Sequence, residues 1–319
     1  LTYASPSRGD AQLRLFWSER PDKPLPHEPI RNNRLYHNST AVLTQATLAE
    51  KGREIFLEHR CIRCHISEGE GIPEMAMSGS SFANIGDRCN SAWMAKWILD
   101  PKAHRPSARM PKMLHGDTAQ ADAQAIAAYL TSLHDPKKSA VELVEANNEV
   151  AEEMVRALNC VGCHNLPGEP MVEGKLSLAH VKQKFPKGEL AAFLRAPNTH
   201  FAWTRMPKFD LTRKEAGNLA QWLRSKANER APTDHLATEA DVKRGKELVA
   251  TIGCLNCHNH KQENKFKALD LAALTPDQWV DGCLAEEPNG KSPHFGFKSE
   301  DRAALRAFAA TDRKSLHRH

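Results

Sequence analysis

No apolar run in the 319 residues approaches the roughly 20 residues that a membrane-spanning helix needs, so no membrane span is expected. Aromatic residues are scarce at 6%, and no block of Lys and Arg stands out. With 44 basic against 39 acidic side chains the net charge is only +5, too weak and too scattered for a nucleic-acid surface. There is no P-loop, no Rossmann glycine pattern and no serine-nucleophile motif. No signal-peptide core is present and the first residue is Leu1, so the chain reads as a processed or excised piece of a longer protein. Methionine is absent beyond position 206. The length alone predicts about two domains.

What is present is cysteine in a pattern. Six of the eight cysteines form three C-x-x-C pairs, each followed at once by histidine: Cys61-Ile62-Arg63-Cys64-His65, Cys160-Val161-Gly162-Cys163-His164 and Cys254-Leu255-Asn256-Cys257-His258. C-x-x-C-H reads as the attachment site of a c-type haem. Two thiols one helical turn apart suit the two vinyl groups of the macrocycle, and the next residue offers an imidazole to the iron. A zinc site or a redox dithiol are the competing readings. A zinc ribbon wants its second pair within about 20 residues, whereas these pairs stand 99 and 94 residues apart. Three copies at domain-sized spacing favour three covalent haems.

The motifs belong to a longer repeat. Trp97-Ile98-Leu99-Asp100-Pro101 matches Phe193-Leu194-Arg195-Ala196-Pro197, His104 matches His200, and Arg109-Met110-Pro111 matches Arg205-Met206-Pro207, all at an offset of 96 residues. Upstream of each motif lies an amphipathic helical pattern. Gly52 and Gly245 stand nine residues before the first cysteine, and Phe56, Val155 and Val249 stand five before it. Downstream, helices are expected at 125–133, 216–226 and 300–310, with Tyr129, Trp222 and Phe308 on their apolar faces.

Helix, C-x-x-C-H, Met-Pro loop, helix with an aromatic: this order resembles the class I cytochrome c fold. The resemblance covers residues 41 to 312. It implies a mainly α protein of three tandem class I cytochrome c-like helical domains, each around a covalent haem, with a short extended N-terminal segment. In that family the first and last helices cross, and Gly52 with Phe56 against Tyr129 looks like that contact. Domain 2 departs from the pattern, because Ala151 replaces the glycine. Turn chemistry at 135–139 and 231–234 sets the expected boundaries: 41–135, 136–232 and 233–319. Residues 1–40 carry no motif. Leu13 to Trp17 alternates as a strand does. With Arg34-Leu35-Tyr36 it is similar to the last strand of a PA14-type β-sandwich, a module associated with carbohydrate binding. The competing reading is a plain N-terminal arm.

Each iron has a second axial position to fill, and a Met thioether suits electron transfer. Met110 lies 45 residues after His65 and Met206 lies 42 after His164, each in an Arg-Met-Pro loop. Met113 competes with Met110, and the Arg-Met-Pro match decides for Met110. Met75 and Met77 read as packing residues beside the haem, and Met94, Met154 and Met171 as core filler. In domain 3 the alignment places His294 where methionine belongs, 36 residues after His258. Haem 3 is therefore expected to be bis-His, with Cys283, His260 or an open position as rivals. Cys89 and Cys283 are either a disulfide across domains 1 and 3 or two separate buried thiols. Arg109 and Arg205 suit haem propionates, and His104 and His200 suit hydrogen bonds to a propionate or a loop carbonyl. The expected ligands are thus His65 and Met110 for haem 1, His164 and Met206 for haem 2, and His258 and His294 for haem 3.

Three haems, two of them saturated by His and Met, point to an electron-transfer relay between a redox donor and a redox acceptor. Each ferric haem contributes roughly −1, so the net charge falls to about +2 and strong steering is not expected. By family resemblance the location is periplasmic or extracellular in a bacterium. The competing class is a haem enzyme, peroxidase-like or acting on sulfur compounds, centred on haem 3 with His260, Glu286 and Glu287 nearby in sequence. An upstream carbohydrate-binding domain would make the chain a tethered module.

Overall fold

The computed structural model describes residues 16–17, 28–29, 38–65, 78–138, 147–227, 236–269, 273–288 and 290–311. The chain divides into two units, Leu1–Thr47 and Leu48–His319. The first holds a short antiparallel pair, β1 (Phe16–Trp17) and β2 (Glu28–Pro29), with Phe16 opposite Pro29. The expected strand is present at its last two residues. Leu13 to Leu15 and Arg34 to Tyr36 lie outside the described residues, as do Met75 and Met77. Among the described residues no β-sandwich of the PA14 kind is shown. Helix α1 (Ala41–Glu58) begins in this unit.

The second unit is helical. In chain order it holds α2 (Ile85–Arg88), α3 (Ser91–Leu99), α4 (Pro101–His104), α5 (Ala119–Ser132), α6 (Asn148–Ala157), α7 (Val181–Lys184), α8 (Glu189–Arg195), α9 (Arg213–Lys226), α10 (Glu239–Thr251), α11 (Cys254–Cys257) and α12 (Ser299–Ala309). The starts are written in the sequence. Thr212 and Glu215 form a capping box on α9, Thr238 and Asp241 form one on α10, and Asn147 accepts from the Val150 N–H at the head of α6. Ahead of each C-x-x-C the chain turns through one left-handed residue: Arg60 (φ 58°), Asn159 (φ 51°) or Gly253 (φ 101°). That turn breaks the preceding helix and starts a new helical turn that carries both cysteines.

The middle region closes on itself. Helix α6 packs on α9, and Ala151, Val155, Leu219, Trp222 and Leu223 share a core with Phe185 and Leu190. Two short parallel strands, β3 (His164–Asn165) and β4 (Leu176–Ser177), follow the motif.

The outer regions do not close on themselves. Gly52 of α1 crosses α12, so tightly that a Cβ on it would lie 2.0 Å from the Ala304 carbonyl oxygen and 2.9 Å from the Phe308 Cβ. Gly245 of α10 crosses α5 in the same way, 2.0 Å from the Ala125 oxygen and 2.9 Å from the Tyr129 Cβ. The expected contact of Gly52 and Phe56 with Tyr129 is therefore corrected: Tyr129 meets Gly245, and Gly52 meets Ala304 and Phe308. The first helix of each outer region lies on the last helix of the other. Both crossings use one lock, Gly-x-x-x-apolar against Ala-x-x-x-aromatic, with a basic residue before the glycine facing an aspartate. Arg244 Nε donates to Asp122 Oδ1 at 2.6 Å, and Lys51 Nζ lies 3.7 Å from Asp301. Either helix fits either partner by pattern. Side-chain detail favours the exchange. Phe56 stacks among Phe308 (5.3 Å) and Trp279 (6.2 Å). The Tyr129 hydroxyl donates to Gln262 Oε1 at 2.8 Å and lies 2.9 Å from His260 Nε2, both just beyond α10 and its motif.

Candidate functional site

Each motif histidine sits at the end of its helical turn with its ring fixed by a backbone carbonyl. His164 Nδ1 lies 3.2 Å from the Leu176 oxygen, twelve residues downstream, where β4 runs beside the motif. His258 Nδ1 lies 2.7 Å from the Ser80 oxygen, and His65 Nδ1 lies 2.9 Å from the Leu269 oxygen. A carbonyl can only accept, so Nδ1 carries a proton in all three rings, and in the neutral ring that leaves the lone pair on Nε2. That is how an outer-shell carbonyl orients a metal-binding imidazole. Burial lowers the pKa of His164 and of His258, which keeps both neutral and able to ligate.

The carbonyl partners follow the same exchange as the helices. The segment 79–82 runs beside the third motif: the Gly79 N–H donates to the Cys257 oxygen (2.7 Å), the Phe82 N–H to the Asn259 oxygen (3.1 Å), and the Phe82 ring stacks on His258 at 4.5 Å. Gly79 is needed there, since a Cβ would sit 2.9 Å from the imidazole. Leu269, downstream of the third motif, serves His65 of the first. Ser80, Phe82 and Leu269 had no signal in the sequence, because their partners lie 178 and 204 residues away for the two carbonyls.

Five of the six motif cysteines are held as thiols by burial. Burial pushes Cys64 up to about 11 and Cys254 up to about 12, and raises Cys61, Cys160 and Cys257. The first and third motifs are neighbours, with Asn256 Nδ2 donating to Cys64 Sγ at 3.2 Å. All eight cysteines are free. Cys89 lines a cavity of about 240 Å³ with Gly86, Asn90, Ala128 and Pro186. Cys283 lies close enough to Cys61 and Cys64 to raise their pKa values further, after burial, so the two odd cysteines occupy different surroundings.

The residues singled out as second axial donors fall into three groups. Met206 packs on the core of the middle region, as Cys160 does. Met110 packs on the cluster of α5 and α10 that also holds Cys254 and Leu255. Met113 reaches the same side, its Cε 3.5 Å from where a Gly253 Cβ would be. His294 stands beside Phe295 and Phe297. Both rings meet His59, at 5.5 and 4.9 Å, and Phe297 packs on the cluster that holds Cys61 and Ile62. His294 Nε2 lies 3.1 Å from the Glu286 oxygen. The two loops touch: Lys112 and His294 exchange backbone hydrogen bonds of 3.0 and 2.8 Å.

Arg105 is a residue that the sequence reading missed. Burial lowers its pKa first, and the charges of Arg205 and Arg109 lower it further. Arg109 lies 3.4 Å from Glu58. His104 packs on Trp93 and His180, at 5.2 and 5.5 Å, and the His200 carbonyl accepts from the Ser81 N–H. His260 is engaged by Tyr129, whereas Glu286 lies 3.6 Å from Arg302 of α12. Among the described residues no three His, Cys, Asp or Glu side chains converge as a zinc site requires. Paired cysteines, an oriented imidazole and nearby apolar and cationic side chains fit a covalently held haem at each motif.

Residues 49–134 match the family of cytochrome c, which implies covalently bound haem c for that segment. Over 95 residues the chain is 35% identical to cytochrome c oxidase subunit 2 of Alkalihalophilus pseudofirmus, an alignment covering 27% of this chain and 26% of that relative. The chain thus spans about a quarter of the length of the curated relative it matches. No solved structure matches. Among the described residues no helix is long and apolar enough to cross a membrane.

Proposed function

We propose that this chain is a tri-haem c-type cytochrome module that relays electrons between a redox donor and a redox acceptor. Cys61 and Cys64, Cys160 and Cys163, and Cys254 and Cys257 hold the three groups covalently. His65, His164 and His258 are the proximal ligands, and Met110, Met206 and His294 supply the distal donors. Haem, when bound, provides a one-electron ferric–ferrous couple. The observation that carries this reading is the common state of the three motif histidines, each with Nδ1 on a carbonyl and Nε2 left to donate. The adjacency of Cys64 and Asn256 supports a relay, because it brings two attachment sites side by side. Arg105, Arg109 and Arg205 are suited to propionates, and Arg105 feels the charge of the other two.

The haem-binding regions are 41–135, 136–232 and 233–319 by motif, with helices traded between the first and the third. Covalent attachment places the protein in the periplasm or outside a bacterial cell. The likeness of one segment to a cytochrome c oxidase subunit supports a role beside other redox proteins. A catalytic centre at the third motif has less support, since His260 and Glu286 are engaged by different helices. Denaturing mass spectrometry of matured protein tests the reading: the expected mass is that of the chain plus three haems. Fewer haems, or a mass fitting zinc, overturns it.

A further inference from the structure

The exchange of helices carries the attachment motifs with it. Resting on the tri-haem reading above, we propose that the distal ligands are exchanged as well: Met110 serves the haem held by Cys254, Cys257 and His258, and His294 serves the haem held by Cys61, Cys64 and His65. Sequence order pairs them the other way.

Four contacts, three of them from the packing of α5 on α10, place the Met110 loop with the third motif. Helix α10, which leads into that motif, crosses α5, which follows the Met110 loop, at Gly245 and Ala125. Met110 packs on the same cluster as Cys254 and Leu255. The proximal carbonyl of His258 comes from Ser80, upstream of Met110. Tyr129 of α5 bonds His260 and Gln262, just past the third motif. The mirror set places His294 with the first motif. Gly52 crosses α12 at Ala304. Phe297 shares the cluster of Cys61 and Ile62, with Leu305 and Phe308. His59, two residues before Cys61, meets the rings of Phe295 and Phe297. The proximal carbonyl of His65 comes from Leu269. A ligand loop is delivered by the helix that follows it, so a haem bound to a motif finds the loop of the helix on which its own leading helix lies. The backbone pairing of Lys112 with His294 holds the two distal loops side by side. Ligation through His294 Nε2 replaces its present contact with the Glu286 carbonyl.

The consequence is an inversion of ligand character along the chain. The bis-imidazole site belongs to the first motif, and the third motif holds a His/Met pair despite the lack of methionine downstream of it.

Nuclear Overhauser spectra of the reduced wild-type holoprotein decide between the two pairings. The ε-methyl signal of Met110, assigned by its loss in Met110→Leu, is expected to contact the haem whose thioether links run to Cys254 and Cys257. Contacts to the haem on Cys61 and Cys64, or to neither, overturn the proposal. Variants give a second readout. Gly245→Val is expected to remove the share of the Met–ferric-iron charge-transfer band contributed by Met110, leaving that of Met206, while Gly52→Val leaves the band whole. The reverse result overturns the exchange. If either variant fails to fold, the wild-type spectra still decide. A preparation with three haems and Met110 on the first motif defeats the exchange alone, whereas one with fewer than three haems defeats the relay reading.

Discussion

The region 147–227 and the outer pair, 48–138 with 236–311, are built from one pattern and solve it differently. In the middle, α6 lies on its own α9, and His164 takes its carbonyl from twelve residues away in the same loop. In the outer pair, leading helices and proximal carbonyls are traded. One residue separates the cases. Both α1 and α10 carry glycine at the crossing, where a Cβ would lie 2.0 Å from a carbonyl oxygen of α12 or α5. Helix α6 carries Ala151 there, fully buried against its own partner. A methyl group at that position would not fit the close approach that Gly52 and Gly245 make, so the glycine marks α1 and α10 for the outer crossings and α6 for the looser one.

On the tri-haem reading proposed above, the largest effect expected from this difference comes from removing the attachment cysteines. Replacing Cys160 and Cys163 by Ala should raise amide exchange across α6 to α9, which share one core, and not in α5, α10 or α12. Replacing Cys254 and Cys257 by Ala should raise it in α10 and in α5, more than 100 residues earlier, and leave α12 less affected. Mass-resolved hydrogen exchange reads this directly. Equal exposure of α12 and α5 would break the comparison.

Next in size are the crossings themselves. Gly52→Ala and Gly245→Ala each force backbone apart and should cost about 1–3 kcal/mol, by analogy with overpacked cores. Ala151→Gly adds backbone freedom to a helix that already has room for a methyl, and should cost about 0.5–1 kcal/mol. Denaturant unfolding of the holoprotein checks the order, and a cost for Ala151→Gly above that of the two glycine variants would contradict it.

A finer comparison, ending on the smallest effect, separates the two locks from each other. Asp122 is buried and takes bonds from Arg244 and from the Thr118 hydroxyl at 2.8 Å, so Arg244→Ala leaves a buried carboxylate short of its cation and should cost about 1–3 kcal/mol. Lys51 and Asp301 pair more openly at 3.7 Å, and Lys51→Ala should change stability by less than about 1 kcal/mol. A Lys51 effect as large as that of Arg244 would show that the two crossings are equally locked.

Three things were legible in the residues alone: the number of motifs, the helices around them and the rhythm of glycine, apolar and aromatic positions. These depend on spacing within one helix or one turn, and α5, α9 and α12 cover the expected stretches to within a few residues. The left-handed residue before each motif was also local, and is visible as Arg60, Asn159 and Gly253 once the helix ends are known. Which helix lies on which was not legible. Gly52 with Phe56 and Gly245 with Val249 present the same face. Ala125 with Tyr129 and Ala304 with Phe308 offer the same seat, down to an aspartate three residues earlier. A pattern read along the chain is identical for both pairings. Only contacts between distant segments distinguish them: the Phe56 ring among Trp279 and Phe308, the Tyr129 hydroxyl on Gln262, and the Ser80 and Leu269 carbonyls on the exchanged imidazoles. The sequence therefore determined the parts and their chemistry. Tertiary structure decided their partners, because helix pairing is settled by side-chain shape and buried hydrogen bonds across the chain rather than by periodicity along it.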